Sequence, residues 1–473
     1  MSMLRRNSIG RALGAVLLAG ALVGCEFIQP IESNPNLVPE ASLDQLFVSI
    51  QVNNMLMEEG QTARLAQIWT QHLAGVDRQF QTLDQYVFTQ SEGGDYTNFY
   101  TGGGLVDIRR AIGLATDVNR RVYAGILRVY EAYRLGMLAS VFGDVAYSEA
   151  VDPTIETPAL DSQASVYAAA QALLDEAITD LQSGTGAGPG ATDFAFGGNA
   201  ARWIAVARTI KARFFMHWAE GTPANYGNAI TQANQGITTS SGDWVARHSS
   251  ATTENNLWYT FSIQRSGYIA AGEYLVDALL ARSDPRLPLY FTTGSGAFAG
   301  QYVGSPPGTR NRAGGGADPG QSASQINLDG SGAPDYAQPF VTCAENYFIL
   351  AEAQYRTLGS PAGDATIRAS LDNALACEGA RKGVSMAAAQ AFNDGLTGAA
   401  LFDEIMLQKY MSLFLNIETW NDYKRTCRPA IVTYAGQRVP GRLLYPEAEA
   451  STNPNIPPAT AQPARNANDP NPC

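Results

Sequence analysis

The sequence predicts a mainly α fold: antiparallel helical hairpins in tetratricopeptide-like stacking, few short strands, and long irregular loops. Three observations carry this. Apolar residues recur at three- and four-residue spacing in segment after segment. Those segments come in pairs separated by Gly- and Pro-bearing breaks, with Tyr and Ala at packing positions. Continuous alternation of the strand kind is scarce. With 473 residues, 45% hydrophobic and 16% charged, the chain has the means to bury a large core.

The elements follow in order. From residue 41, Leu43, Leu46, Phe47 and Ile50 begin a helix, and residues 63–74 continue as one around Ile68 and Trp69. Residues 80–104 are polar, aromatic and Gly-rich. Residues 107–141 read as one long helix, with Ile126, Val129, Tyr130, Tyr133, Leu135 and Leu138 on its apolar positions; Gly143 is suited to cap it. Residues 165–181 form its antiparallel companion, with Val166, Leu173, Leu174, Ile178 and Leu181 on one face. A Gly-rich break at 184–190 precedes a second pair, 200–220 and 226–239. From 244 to 339 regularity fades, apart from a helix near 271–281, and so long an irregular stretch points to function. A third hairpin spans 340–358 and 364–377 around Gly359-Ser360-Pro361. A last helix runs over 401–420.

The N-terminus carries a different signal. Arg5, Arg6 and Arg11 accompany an apolar run over residues 12–22 that is too short to span a bilayer. The run ends in Leu22-Val23-Gly24-Cys25, a match to the lipobox after which a lipoprotein signal is cleaved. We expect residues 1–24 to be the signal peptide, Cys25 to carry lipid, residues 25–40 with Pro30, Pro35 and Pro39 to be a tether, and 41–473 to be one binding domain. Four further cysteines remain: Cys343, Cys377, Cys427 and Cys473. Their even number in an exported chain favours disulfides, and four allow three pairings. Cys343 lies about as far before the third hairpin's turn as Cys377 lies after it, which favours Cys343 with Cys377 and leaves Cys427 with Cys473.

Lys and Arg total 32 against 44 Asp and Glu, a net charge of −12. An acidic surface is a poor partner for nucleic acid or an anionic membrane face, so attachment to a membrane falls to the lipid. The three histidines, His72, His217 and His248, are far apart. No metal-ligating, nucleotide-binding or hydrolase motif occurs, so no cofactor, metal or catalytic residue is expected.

Several blocks then coincide. Residues 126–133, Ile-Leu-Arg-Val-Tyr-Glu-Ala-Tyr, lead into Phe142-Gly143-Asp144-Val145-Ala146-Tyr147. Asp284-Pro285-Arg286-Leu287-Pro288, Asn346 to Ala353, Gln408-Lys409-Tyr410, Glu418 to Thr426 and Arg442-Leu443-Leu444-Tyr445-Pro446 follow. In this order they resemble SusD/RagB-type nutrient-binding lipoproteins, with Ala146 where the family usually has proline. The resemblance implies a superhelical helical scaffold at the outer membrane, held as a lid on a SusC-like TonB-dependent transporter and binding an oligosaccharide without catalysis. Peptide binding on the same scaffold is the alternative, and an exported glycoside hydrolase a more distant one. Glu418 and Arg425 are expected to pair within the last helical region.

Sugars present apolar C–H faces that stack on aromatic rings, while amide and charged side chains take their hydroxyls. The two irregular stretches supply such groups, and in the resembling family binding residues come from loops in these regions. Tyr96, Asn98, Phe99 and Tyr100 lie in the first. Trp258, Tyr259 and Phe261 lie in the second, followed by Phe298 and Tyr302. These are the candidate ligand contacts.

Overall fold

A computed structural model of the chain describes residues 40–309 and 322–470. The expected signal peptide, Cys25 and nearly all of the tether lie outside these residues, as does Cys473. Residues Leu43–Cys473 form one compact unit.

Helix α1 (Leu43–Glu59) buries Leu46, Phe47, Ile50 and Met57, and α2 (Gln61–Trp69) follows after Gly60. The periodic run expected to last to residue 74 stops at Trp69. Gln71 takes a positive φ of 59°, and Leu73–Gly75 becomes strand β1.

The expected long helix over 107–141 is two helices, α3 (Leu105–Asp117) and α4 (Arg121–Phe142). Asn119 sits in the left-handed region at φ 55°. Its N–H donates to the Thr116 carbonyl, and the Arg120 N–H donates to that of Ala115. This paired closure ends a helix when a residue tolerant of positive φ follows it, and asparagine is such a residue. Helix α5 (Gln163–Gln182) packs antiparallel on α4, capped by the Ser162 hydroxyl, which accepts from the Ser165 N–H. Helices α6 (Ala200–Ala219) and α7 (Ala224–Ala233) form the second hairpin, α7 ending six residues before the expected position. Gly236 lies beyond it, against Thr209 and Asn346, where any Cβ would meet the Asn346 Oδ1 at 2.2 Å.

The stretch from 244 holds strand β2 (Trp244–Ala246), helix α8 (Leu257–Gln264), strand β3 (Ile269–Ala271) and helix α9 (Glu273–Ala281). Phe340 and Val341, expected to open a helix, belong to strand β4 (Gln338–Val341). β1 pairs antiparallel with β3, Leu73 opposite Ala271, and β2 with β4, Trp244 opposite Val341. The third hairpin is α10 (Cys343–Leu358) and α11 (Asp364–Lys382), and a disulfide joins Cys343 to Cys377 with Cα atoms 5.8 Å apart. The expected pairing of Cys427 with Cys473 involves a residue outside the described range.

The last expected helix is likewise two, α12 (Gly398–Ser412) and α13 (Glu418–Thr426). Leu415 has φ 64° between them. Gln67 accepts from its N–H and Gln338 donates to its carbonyl, so the break is held by long-range hydrogen bonds that no local pattern announces.

Buried charges join these helices. Arg213 of α6 forms a fork to Glu345 of α10, with both N–O distances 2.6 Å. The His217 Nε2 is 2.8 Å from Glu418, and its Nδ1 is 2.8 Å from the Tyr167 hydroxyl. Arg425 bonds Glu352 of α10 and Asp422 of its own helix, and Lys409 of α12 bonds Asp422. The expected pair of Glu418 with Arg425 is thus corrected: at i and i+7 they lie about 10 Å apart along the helix axis, too far to pair, and each meets a different helix. Burial alone would raise the Glu418 carboxyl, but Arg213 and His217 hold it well below the usual carboxylate range.

Candidate functional site

Helix α1 carries a second apolar stripe besides the one it buries. Val48, Val52 and Leu56 lie at i, i+4 and i+8 and are 37%, 53% and 43% exposed. They form one wall of a groove of about 880 Å³, with Phe194, also 37% exposed, on the same lining. Arg247, His248, Thr253, Glu254 and Asn255 add a polar wall.

Phe194 is positioned from both sides. The buried Gln51 of α1 donates through Nε2 to the Thr192 carbonyl at 2.8 Å and accepts through Oε1 from the Phe194 N–H at 2.8 Å. Asp193 turns the chain by accepting from the N–H groups of Ala195 and Gly198 and from the Trp203 indole at 2.8–2.9 Å. The phenyl ring is therefore held at the groove by a fixed backbone.

The polar wall is built on Glu59, the fully buried last residue of α1. Its Oε1 is 2.8 Å from the His248 Nε2, and its Oε2 accepts from the Leu257 N–H at 2.8 Å. The His248 Nδ1 faces the Glu254 carbonyl at 3.2 Å. Burial by itself would lower the His248 pKa, but these two acceptors outweigh it and raise it, favouring the imidazolium. Asn255 donates to the carbonyls of Ser249 and Ala251 and closes the intervening loop. At the far end Asn53 donates to the carbonyls of Asn98, Thr101 and Gly102 and accepts from Arg134. Gly103 there has φ 94°, and a Cβ would meet the Ser49 carbonyl oxygen at 2.4 Å, so only glycine fits.

None of the nine residues picked from the irregular stretches lines this groove. Trp258 is wholly buried, so it offers no stacking face. Tyr96 and Phe99 are 2% exposed, and the Tyr96 ring meets Phe142 edge-on at 5.0 Å. Tyr100 is half-buried, donating its hydroxyl to the Ala146 carbonyl. These four rings anchor loops to the helical core, which corrects the platform role expected of Trp258, Tyr96 and Phe99. Asn98, Tyr259, Phe298 and Tyr302 are half-buried at the surface and do not line the groove. Phe261 packs on Phe80 and under the Arg64 guanidinium. Close neighbours of these candidates do line the groove: Leu257 and Gly102, one and two positions away from Trp258 and Tyr100. The signal missed was the second stripe of α1. Its i, i+4, i+8 spacing cannot be buried together with Leu46, Phe47 and Ile50.

A family model described as starch-binding associating with outer membrane matches residues 35–446. The chain belongs to this SusD-like family. No curated protein matches it in sequence. Among solved structures, a chitin-binding protein superposes with a TM-score of 0.75 at 21% identity, over 90% of this chain and 100% of its own. A chitin-binding SusD homolog from Flavobacterium johnsoniae gives 0.74 at 19%, over 91% and 99%. A SusD/RagB family protein from Bacteroides thetaiotaomicron gives 0.71 at 20%, over 88% and 95%. At these identities the likeness is one of fold.

The SusD-like blocks recognised in the sequence are scaffold in this chain. Arg286 is fully buried and forks onto Asp284 at 2.6 and 2.8 Å while also reaching Gln408 of another block. The Tyr445 hydroxyl donates to the Asp144 carbonyl, and the Asp144 carboxylate accepts from the Gln163 N–H that opens α5. The groove is made almost wholly of residues outside the blocks. Among the described residues no helix is long and apolar enough to cross a membrane.

Proposed function

We propose that this SusD-like chain captures carbohydrate at the bacterial surface and passes it, unaltered, to a SusC-like TonB-dependent transporter. The observation that carries the reading is the α1 groove, where an apolar wall ending in the fixed Phe194 ring faces a wall of amide, carboxylate and cationic groups. That pairing matches an oligosaccharide, whose rings have apolar faces and hydroxyl edges. The family's starch-binding description and the chitin-binding fold relatives support the same class of ligand. Tyr259 of α8, with Phe298 and Tyr302 in the loop that follows α9, all half-buried, would extend the contact to longer chains. Lipid at Cys25 would keep the domain beside its transporter.

Burying one sugar face against a ring contributes roughly 1.5–3 kcal/mol before entropic costs. A few such contacts give about micromolar to millimolar affinity, which suits capture followed by release. Calorimetric titration of the full chain with a panel of maltose-, chitin-, cellulose- and pectin-derived oligosaccharides should yield saturable binding for at least one, with no change in the glycan. Binding of peptides and of no glycan would replace this reading with the peptide one, and turnover of any glycan would show an enzyme.

A further inference from the structure

A second cavity, of about 620 Å³, adjoins strand β2 at Val245 and meets the α1 groove at Arg247, which lines both. The two cavities are built differently. Where α1 presents Val48, Val52 and Leu56, most of the side chains lining the second are polar. One wall is the end of α11, Arg381 and Lys382. Arg381 lies 2.7 Å from Glu378 and 3.8 Å from Asp243, and Lys382 lies 3.6 Å from Glu378. Two cations meet two carboxyls there, and their charges balance. Arg381 also donates to the Tyr336 hydroxyl at 3.3 Å, which fixes an aromatic ring in the lining. The remaining charges are Arg247 and Asp335, both exposed and opposite in sign. Arg247 makes one long hydrogen bond, 3.5 Å to the Ala195 carbonyl, and Asp335 has no ion pair or side-chain hydrogen bond among the described residues. Ser240 and Ser331 add hydroxyl groups to the lining. The cavity is thus neutral as a whole, yet offers both a free donor and a free acceptor. Such a set suits uncharged hydroxyls and has no surplus charge for an ionic group.

We propose that the captured glycan is a neutral oligosaccharide long enough to pass Arg247, with one part on the apolar wall of α1 and the other in this second cavity, where Asp335, Arg247 and the serine hydroxyls bind its hydroxyls. This rests on the carbohydrate reading above and narrows it to uncharged chains of several units. The Asp335 carboxylate accepts from sugar hydroxyls, and the Arg247 guanidinium donates to them, in charge-assisted bonds. A chain across both cavities acts as two linked ligands: its second contact forms at the effective concentration that the first one sets. A short sugar fills one cavity and gains none of this.

The test titrates the full chain with neutral malto-, cello- and chito-oligosaccharides, each from disaccharide to hexasaccharide, and with a galacturonate hexasaccharide as the charged control. In the series that binds, the hexasaccharide should bind about tenfold or more tightly than the disaccharide, and the galacturonate no more tightly than the neutral hexasaccharide. Asp335→Ala is an exposed change at an unpaired residue and leaves folding intact. It should weaken the hexasaccharide about fivefold and hardly move the disaccharide, which the α1 wall holds. Ala337→Trp, also exposed, fills the second cavity and should act in the same way, since Ala337 does not line the α1 groove. Four results overturn the inference while leaving carbohydrate capture standing: an affinity that does not grow with length, a hexasaccharide unmoved by both variants, a disaccharide weakened as much as the hexasaccharide, or tighter binding of the galacturonate. Binding of no glycan at all overturns both.

Discussion

Replacing Arg425 by methionine would remove one cation from a buried set of charges. Arg425 is 1% exposed and Glu352 is 0% exposed, and the guanidinium reaches Glu352 at 2.5 and 2.6 Å and Asp422 at 2.5 Å. Lys409 is the other cation, 2.8 Å from Asp422 and 3.7 Å from Glu352. Two carboxylates and two cations leave the set neutral. Arg425→Met leaves one uncompensated negative charge among α10, α12 and α13. Breaking a buried pair from one side costs about 3–5 kcal/mol. A unit of about 430 residues unfolds with an entropy of roughly 0.9 kcal/mol/K, so Tm should fall by about 3–5 °C. Adding Glu352→Gln restores neutrality, and the double variant should recover a good part of the loss. Scanning calorimetry on the three proteins reads both effects. A single variant within 1 °C of the parent, or a double variant further destabilised by the full cost again, would refute the claim that this set is coupled and charge-balanced.

Two other outcomes follow from the same kind of reasoning. Burial raises the Glu58 carboxyl from its ordinary 4.5 to about 7 despite the Tyr133 hydroxyl bond at 2.6 Å. A raised folded-state pKa stabilises the protein fully below pH 4.5 and loses that contribution as pH rises through about 7, on the order of 3 kcal/mol. Denaturant titrations between pH 4.5 and 8 should show that decline, and Glu58→Gln should flatten it; an unchanged slope would show that Glu58 is not the titrating group. Separately, Cys25→Ser should fold and bind ligand but leave the membrane fraction, as fractionation would show; full retention in membranes without a co-purifying barrel would remove Cys25 as the anchor.

Much of the scaffold was legible because helix packing leaves a local trace. Val166, Leu174, Ile178 and Leu181 sit inside α5 where their spacing put them, and Cys343 and Cys377 meet across a hairpin whose turn Gly359 marks. The helix breaks at Asn119 and Leu415 were illegible for different reasons. Asn119 is a weak stop signal inside an otherwise helical run, and the turn at Leu415 is fixed by Gln67 and Gln338, both far away in sequence. The site was half legible. Aromatic composition marked the loops, but in a fold with little sheet the large rings of Trp258 and Tyr96 are what hold such loops down, so their burial follows from the same size that made them look like platforms. Phe194 left no such mark. Its role comes from Gln51 and Asp193, which present it, and it falls between the Gly-rich break at 184–190 and the helix from 200.

The central claim is that the α1 groove holds the captured carbohydrate. Isothermal titration of Phe194→Ala beside the parent protein, with the best glycan from the panel, tests it most directly. Loss of one stacking ring should weaken binding by about 1.5 kcal/mol, a little over tenfold, with Tm unchanged because Phe194 is 37% exposed. Parental affinity in Phe194→Ala, and again in Val52→Asp on the α1 stripe, would contradict the assignment and move the binding surface elsewhere on the molecule.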